Sequence, residues 1–509
     1  MAQQLNSLSL VAPGFRGLNT QDSSLSLDPS FAIVADNSVI DRRGRIASRK
    51  GAQTLTTDAT ELGTSTICAI AEYRDDLGNS KLFSAGNNKI LSGTTTLVDE
   101  TPASYAITRD SWKIVNFNSN LYFFKRGHEP LVYNDTLAAV TKMSDVPGSG
   151  GVTSSMYGNE VIGAFGRLWT ADFETDKSTI YWSDLLDGTA WSGGSTGSID
   201  VTNVWPTGYD VITALAAHNG FLIIFGRNSI LVYEGADSPA TMTLSDTISN
   251  VGCVGRDALV STGKDLIFLD DSGVRSLSRT IQEKSAPIGD ISKNVNNDIK
   301  SLFAAETGNI SMHYSPRQAF VLLNFSVLGV VYAFDTRFPL QDGSFRATTW
   351  SHINPLCFAE TSSEKLYLGV ADGIGEYKGY EDNSTSYQLS YFSHPLSFGS
   401  TSSLKFLKKI NLTTFDGAEA TVVLSWAYDY SGNYRKQAYV LPQSNVAQYN
   451  ISEFNTDAEY SSSIALIKRK KINASGQGTV VSVGVETTVE GNPIALQEID
   501  IQALMGRIV

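Results

Sequence analysis

Five histidines (His128, His218, His313, His352 and His394) are the natural starting point, because imidazole is the commonest metal ligand and titrates near neutral pH. None stands at a ligand spacing such as HxH or HExxH, and each falls in a different stretch of chain, so they form no metal motif. The three cysteines, Cys68, Cys253 and Cys357, lie far apart with no CxxC pair, which reads as buried small side chains rather than a disulfide framework or a zinc cluster. There is no phosphate-binding P-loop; Pro147-Gly-Ser-Gly-Gly-Val is a linker composition.

One pattern carries an enzyme-like echo. Ser183-Asp-Leu-Leu-Asp-Gly-Thr-Ala-Trp191 and Asp342-Gly-Ser-Phe-Arg-Ala-Thr-Thr-Trp350 resemble the Asp-box turns of sialidase propellers, with imperfect spacing. Such boxes are turns and not catalytic groups, so a glycosidase would still need its own acid and nucleophile carboxylates in one cleft. Among 52 acidic residues the sequence singles out none. The expectation is a chain that is not an enzyme and holds no cofactor.

The sharpest charge feature is Asp41-Arg-Arg-Gly-Arg-Ile-Ala-Ser-Arg-Lys50, a basic cluster in an acidic protein. Two readings stand: a solvated loop, or a partner contact in which Arg42, Arg43, Arg45, Arg49 and Lys50 meet carboxylates of a neighbouring subunit, which suits the guanidinium fork. Lys468-Arg-Lys-Lys471 invites the same pair of readings, the solvated face foremost. The net charge of −13 disfavours a sequence-reading nucleic-acid binder, yet suits the wall of a duct along which DNA must slide, since a basic wall would hold the phosphates.

What could position such groups is a repeat. An apolar strand, a tight polar turn and a second apolar strand recur at Ile114 to Phe124, Val161 to Thr170, Leu215 to Phe225, Ala258 to Leu269 and Cys357 to Leu368, with weaker copies at Lys81 and Ala319. A third strand usually follows across Gly, Asn or Asp, as in Ile230-Leu-Val-Tyr. Anchors at Leu82, Leu121, Leu168, Leu222, Leu266, Val321 and Leu366 are 39 to 55 residues apart. A four-stranded antiparallel sheet with short loops takes about 40 to 50 residues, which is the period of a propeller blade. Radial packing would cover both faces of runs such as Phe221-Leu-Ile-Ile-Phe225, which a lone meander leaves half wet. The fold expected is all-β: a β-propeller of six or seven blades over residues 61–384. One helix is expected near 288–305, from Ile288, Ile291, Val295, Ile299 and Leu302 behind Pro287 and Asp290.

The ends differ. From about residue 385 the strands lengthen and alternate cleanly (Leu404 to Leu412, Ala420 to Tyr428, Thr479 to Glu486, Ala495 to Ala503), which predicts a β-sandwich-like platform over 385–509. Residues 1–60, rich in Ser, Asp, Gly and Asn, read as an N-terminal arm lying along another element or subunit, and contribute with the C-terminal part to a domain built from the chain ends. No segment approaches the roughly 20 apolar residues of a membrane span.

Several of these stretches also resemble tail proteins of short-tailed bacteriophages. Pro13-Gly-Phe-Arg-Gly-Leu-Asn-Thr-Gln, with Ala35-Asp-Asn and Arg45-Ile-Ala-Ser-Arg-Lys-Gly, is similar to their N-terminal arm. His218-Asn-Gly-Phe-Leu-Ile-Ile-Phe-Gly-Arg-Asn-Ser-Ile-Leu-Val-Tyr-Glu-Gly, Gly252-Cys-Val-Gly and Asp265-Leu-Ile-Phe-Leu-Asp-Asp-Ser-Gly-Val resemble the propeller of tail nozzle, tail hub or packaged-DNA stabilisation proteins, and Ile499 to Val509 is similar to their C-terminus. The resemblance implies a structural virion protein, made in the host cytoplasm. It implies a homohexameric nozzle below the phage adaptor, in contact with tail fibres or a tail needle. Such a nozzle retains packaged DNA and channels it at ejection through a lumen, without sequence-specific binding. It brings no catalytic residues. The alternatives are a carbohydrate-binding adhesin or a sialidase-like glycoside hydrolase on a propeller.

Overall fold

Short apolar strands buried on both faces build the centre of the molecule. In the computed structural model, which describes residues 5–508 apart from 24–26, 64–65, 87, 109–110, 284–289, 417–418, 442–445, 448–458 and 461–465, six small antiparallel sheets stand alone as blades. Blades 1 to 4 have four strands each and begin at Ala69–Arg74, Lys113–Phe117, Glu160–Ala164 and Ile212–His218; blade 5, from Leu259–Ser261, has three; blade 6 begins at Cys357–Glu360. A further meander, Ile310–Ser315, Phe320–Phe325, Val330–Asp335 and Arg346–Trp350, takes its place in the ring between blades 5 and 6. The first strands lie side by side about a hub, and Cys357–Glu360 comes back against Ala69–Arg74, so the ring closes.

The two faces of blade 2 feed different cores. On Asn120–Lys125, Leu121 and Phe123 pack with Phe83 and Tyr133 toward blade 1, while Tyr122 and Phe124 pack with Val161 and Leu168 toward blade 3. A side-chain period of two between two flanking sheets allows no other arrangement, and a one-residue slip would exchange the sets. Left-handed backbone at Asn219 (φ 50°) and Gly220 (φ 83°) turns the Phe221 hairpin, the conformation that Asn-Gly favours.

The chain ends close the ring and build the second domain. Ala52–Thr54 pairs antiparallel with Gly373–Tyr377, supplying the outer strand of blade 6 from the far end of the sequence. Leu5–Val11, Ser38–Ile40 and Ile46–Ser48 join Ser403–Asp416, Leu466–Asn473, Gln477–Gly478 and Ile494–Ile508 in one sheet of a sandwich. The opposing sheet contains Phe31–Asp36, Tyr387–Ser393, Ala420–Tyr428, Arg435–Leu441 and Val481–Val489, and Ile410, Leu412, Leu389, Leu424, Val483, Val485, Ile499 and Ile501 are buried in the shared core. That sheet is continuous with the meander, because Asp36 steps parallel to Thr349, so propeller and sandwich share one ten-stranded sheet. The first sixty residues are therefore woven into both domains of their own chain.

The expected helix is shorter than its apolar pattern. Helix Asn296–Ala305 follows a 3-10 turn at Lys293–Val295, and Leu277–Glu283 forms another helix; residue 288 lies outside the described residues. Ile291 donates its N–H to Val274 O and the Ser292 hydroxyl accepts the Val274 N–H, so the segment ahead of the helix is tied to the last strand of blade 5. Ile291, Val295 and Ile299 are buried there, covering an edge that a fourth strand covers in other blades.

Candidate functional site: the propeller hub and the basic arm

Propellers concentrate their chain starts at one mouth of the hub, and here that mouth is filled by ionic groups. Arg256, 6% exposed, lies just ahead of blade 5. Its Nη1 donates to Asn159 O at 2.6 Å and Oδ1 at 3.0 Å, its Nη2 to Trp112 O at 3.0 Å, and its Nε to Asp257 Oδ2 at 3.0 Å. One guanidinium fork thus ties the entries of blades 2, 3 and 5 across the hub. Lys113 Nζ stands 3.8 Å from Glu160 and 3.5 Å from Asp257. Beside them is a cavity of about 200 Å³ whose wall includes Cys68, Asn309 and Cys357.

Burial dominates the electrostatics. Glu160 is 1% exposed, and desolvation pushes its carboxyl up to about 7 although Lys113 and Arg256 pull the other way. Asp257 is also raised by burial, but Arg256 and Lys113 more than offset this and hold it below the usual range. Burial pushes the thiols of Cys253, to about 12, and Cys357 upward, so neither is a nucleophile at neutral pH. Asp257, and Glu160 when ionised, stand against Lys113 and Arg256, so the cluster largely neutralises its own charge while bridging blade entries.

The basic arm is divided. Arg49 is fully buried: its Nη1 and Nη2 donate to the two oxygens of Asp382 at 2.9 and 2.7 Å, its Nε donates to Asn37 Oδ1 at 2.9 Å, and it lies 4.0 Å from the Tyr387 ring centroid. Arg45 holds Asp41 at 2.6 Å and sits 4.3 Å over Phe415. For Arg49 the expected partner-subunit carboxylate is corrected to one of the same chain, because the arm folds into its own sandwich and brings the fork to Asp382, 333 residues away; Arg45 is paired locally. Arg42 and Arg43 remain exposed at the turn, and Lys50 is half-buried beside Tyr377. Lys468 to Lys471 lie on Leu466–Asn473, the outermost described strand of its sheet, where lysines discourage edge pairing.

The Asp-box-like segments act as turns. Asp187 Oδ1 accepts from the Thr189 N–H and hydroxyl at 2.8 and 2.7 Å, and Asp342 Oδ1 from those of Ser344 at 3.0 and 2.6 Å. His313 stacks on Phe358, and among the described residues no group of three His, Cys, Asp or Glu could hold a metal ion. The sequence reading missed Lys113, Glu160, Arg256 and Asp257. Its one available signal was a set of charged residues immediately before or at the start of otherwise apolar first strands.

No family model matches the chain, and no curated protein is significantly similar to it in sequence. Solved structures align over about two thirds of the chain at low identity. The extracellular domain of a hybrid two-component system from B. thetaiotaomicron aligns at 13% identity and TM-score 0.39, over 65% of this chain and 40% of that one. YCF48 bound to D1 peptide aligns at 10% identity and TM-score 0.39, over 65% and 94% of the two chains. The Neurospora crassa Pan2 WD40 domain aligns at 11% and 0.39, over 65% and 95%. Similarity at this level says nothing about ligands or partners. No helix among the described residues is long and apolar enough to cross a membrane.

Proposed function

We propose that the chain is a non-enzymatic structural subunit, six copies of which form the nozzle of a short phage tail. The observation that carries this reading is the continuous ten-stranded sheet running from propeller into sandwich. A shared sheet makes the chain one stiff wedge, as a ring segment under internal DNA pressure requires, where a linker would let the domains swing. Arg256 ties blade entries to one another across the hub, so DNA would travel between copies and not through one propeller. Six copies carry six times −13, or −78 formal charges, and acidic groups lining such a duct would keep phosphates from binding to it. The adaptor above and fibres or a needle below would dock on the ring's two ends.

The test is the mass and shape of the full chain, alone and mixed with the adaptor of the same virion, by sedimentation velocity and negative-stain imaging. Sixfold rings with an open axis are expected. A species that stays monomeric in both conditions, or a ring of another order, overturns the proposal.

A further inference from the structure

A cleft of about 420 Å³ lies where the sandwich meets the meander and blade 6. Its wall carries five cations, Arg42, Arg45, Lys50, Arg317 and Arg337, against one carboxylate, Asp41. In a chain of net charge −13 such a concentration is exceptional, and it draws on three separate stretches of sequence.

The cations are not all satisfied. Arg337 is engaged, donating Nη1 to Ile40 O at 2.9 Å and to Asp335 at 3.2 Å. Arg317 reaches Glu364 at 2.9 Å through an exposed contact that water screens. Arg45 spends its Nε and Nη2 on Asp41, but Nη1 is buried with no acceptor, on a side chain only 9% exposed. Lys50 is half-buried with no carboxylate within 4.0 Å among the described residues, and burial followed by the charge of Arg317 lowers its pKa. Arg42 pairs with nothing among the described residues. Lys50 and Arg42 are therefore the cations of the cleft left without a carboxylate among the described residues.

The rest of the wall defines the anion further. Phe320, Tyr377, Tyr380 and Phe415 line the same cleft. Phe320 and Tyr377 are buried at its base, while Tyr380 and Phe415 are part-exposed; an inorganic ion would answer the charges and leave these two wet, and a nucleic-acid duplex does not fit a pocket of small-ligand size. We propose that the cleft receives an extended acidic peptide segment of a partner protein, its carboxylates meeting Lys50 and Arg42 while a flanking apolar side chain covers the exposed parts of Tyr380 and Phe415. This stands apart from the ring proposal, because it needs only the folded single chain.

The experiment titrates full-length protein into a fluorescein-labelled acidic hexapeptide of alternating Glu and Phe, read by anisotropy at low and high salt. Inorganic phosphate and a short oligodeoxythymidylate serve as competitors. Saturable, salt-weakened binding is expected, about tenfold weaker in Lys50→Met, a loss of about 1.4 kcal/mol, and also weakened in Arg42→Ser. Unliganded Lys50→Met should melt no lower than the parent, since an uncompensated half-buried charge is removed, which separates lost binding from lost folding. Absence of binding, equal binding by both variants, or displacement at lower concentration by phosphate or the oligonucleotide than by unlabelled peptide overturns the proposal.

Discussion

Glu160→Gln tests the hub cluster directly. The Glu160 carboxyl is held near 7 in the folded chain, against an ordinary value of 4.5, chiefly by burial. Between those pH values the folded state keeps a proton that the unfolded state has released. Stability therefore falls as pH rises from about 4.5 to about 7 and is level above that. A displacement of about 2.5 in pKa corresponds to about 3 kcal/mol. Unfolding entropy of about 2.1 cal/mol/K per residue over this chain gives roughly 1 kcal/mol per degree, so the effect is about 3 °C in Tm. Glutamine keeps the shape and cannot ionise. Calorimetric melts from pH 4.5 to 8 should show the gap between variant and parent widening in the variant's favour by about 3 °C, most of it below pH 7. Other titrating groups are common to both proteins and drop out of the difference. Parallel Tm curves across that range would refute the assignment of a raised carboxyl at Glu160, and with it the account of Glu160 as the desolvated member of the hub cluster.

Asp382→Ala leaves the fully buried Arg49 guanidinium without its bidentate partner, and losing one member of such a pair costs about 3–5 kcal/mol; a fall of about 3–5 °C in Tm is expected, and an unchanged Tm would show that the pair is not formed. Gly51→Ala would place a Cβ 1.7 Å from the Glu381 carbonyl oxygen, so the closing strand Ala52–Thr54 must shift off Gly373–Tyr377; hydrogen exchange should accelerate at Gln53 and along Gly375 to Tyr377, and unchanged protection there would contradict the closure described.

What the sequence by itself determined is what alternation and turn chemistry encode locally. Hairpins such as Leu215 to Phe225 were legible because side chains repeat every two residues and Asn219-Gly220 turns the chain within four positions. The long alternating strands at the C-terminal end announced a sandwich for the same reason. The helix was read too long because the apolar spacing of Ile291 and Val295 is the same whether the backbone is helical or tied to a strand edge; only the Val274 hydrogen bonds decide it.

The tertiary structure alone decided everything that joins distant residues. Arg49 looked like the solvated or partner-seeking arginines beside it, and nothing within its own stretch of chain points to Asp382. Lys113, Glu160, Arg256 and Asp257 were four unrelated charges until ring closure brought blade entries together and removed water, which is what raises one carboxyl and lowers the other. The half-satisfied cleft arises in the same way, from cations of three segments meeting at a domain junction. Local pattern sets which face of a strand is dry; long-range closure sets which charges are left facing one another once it is.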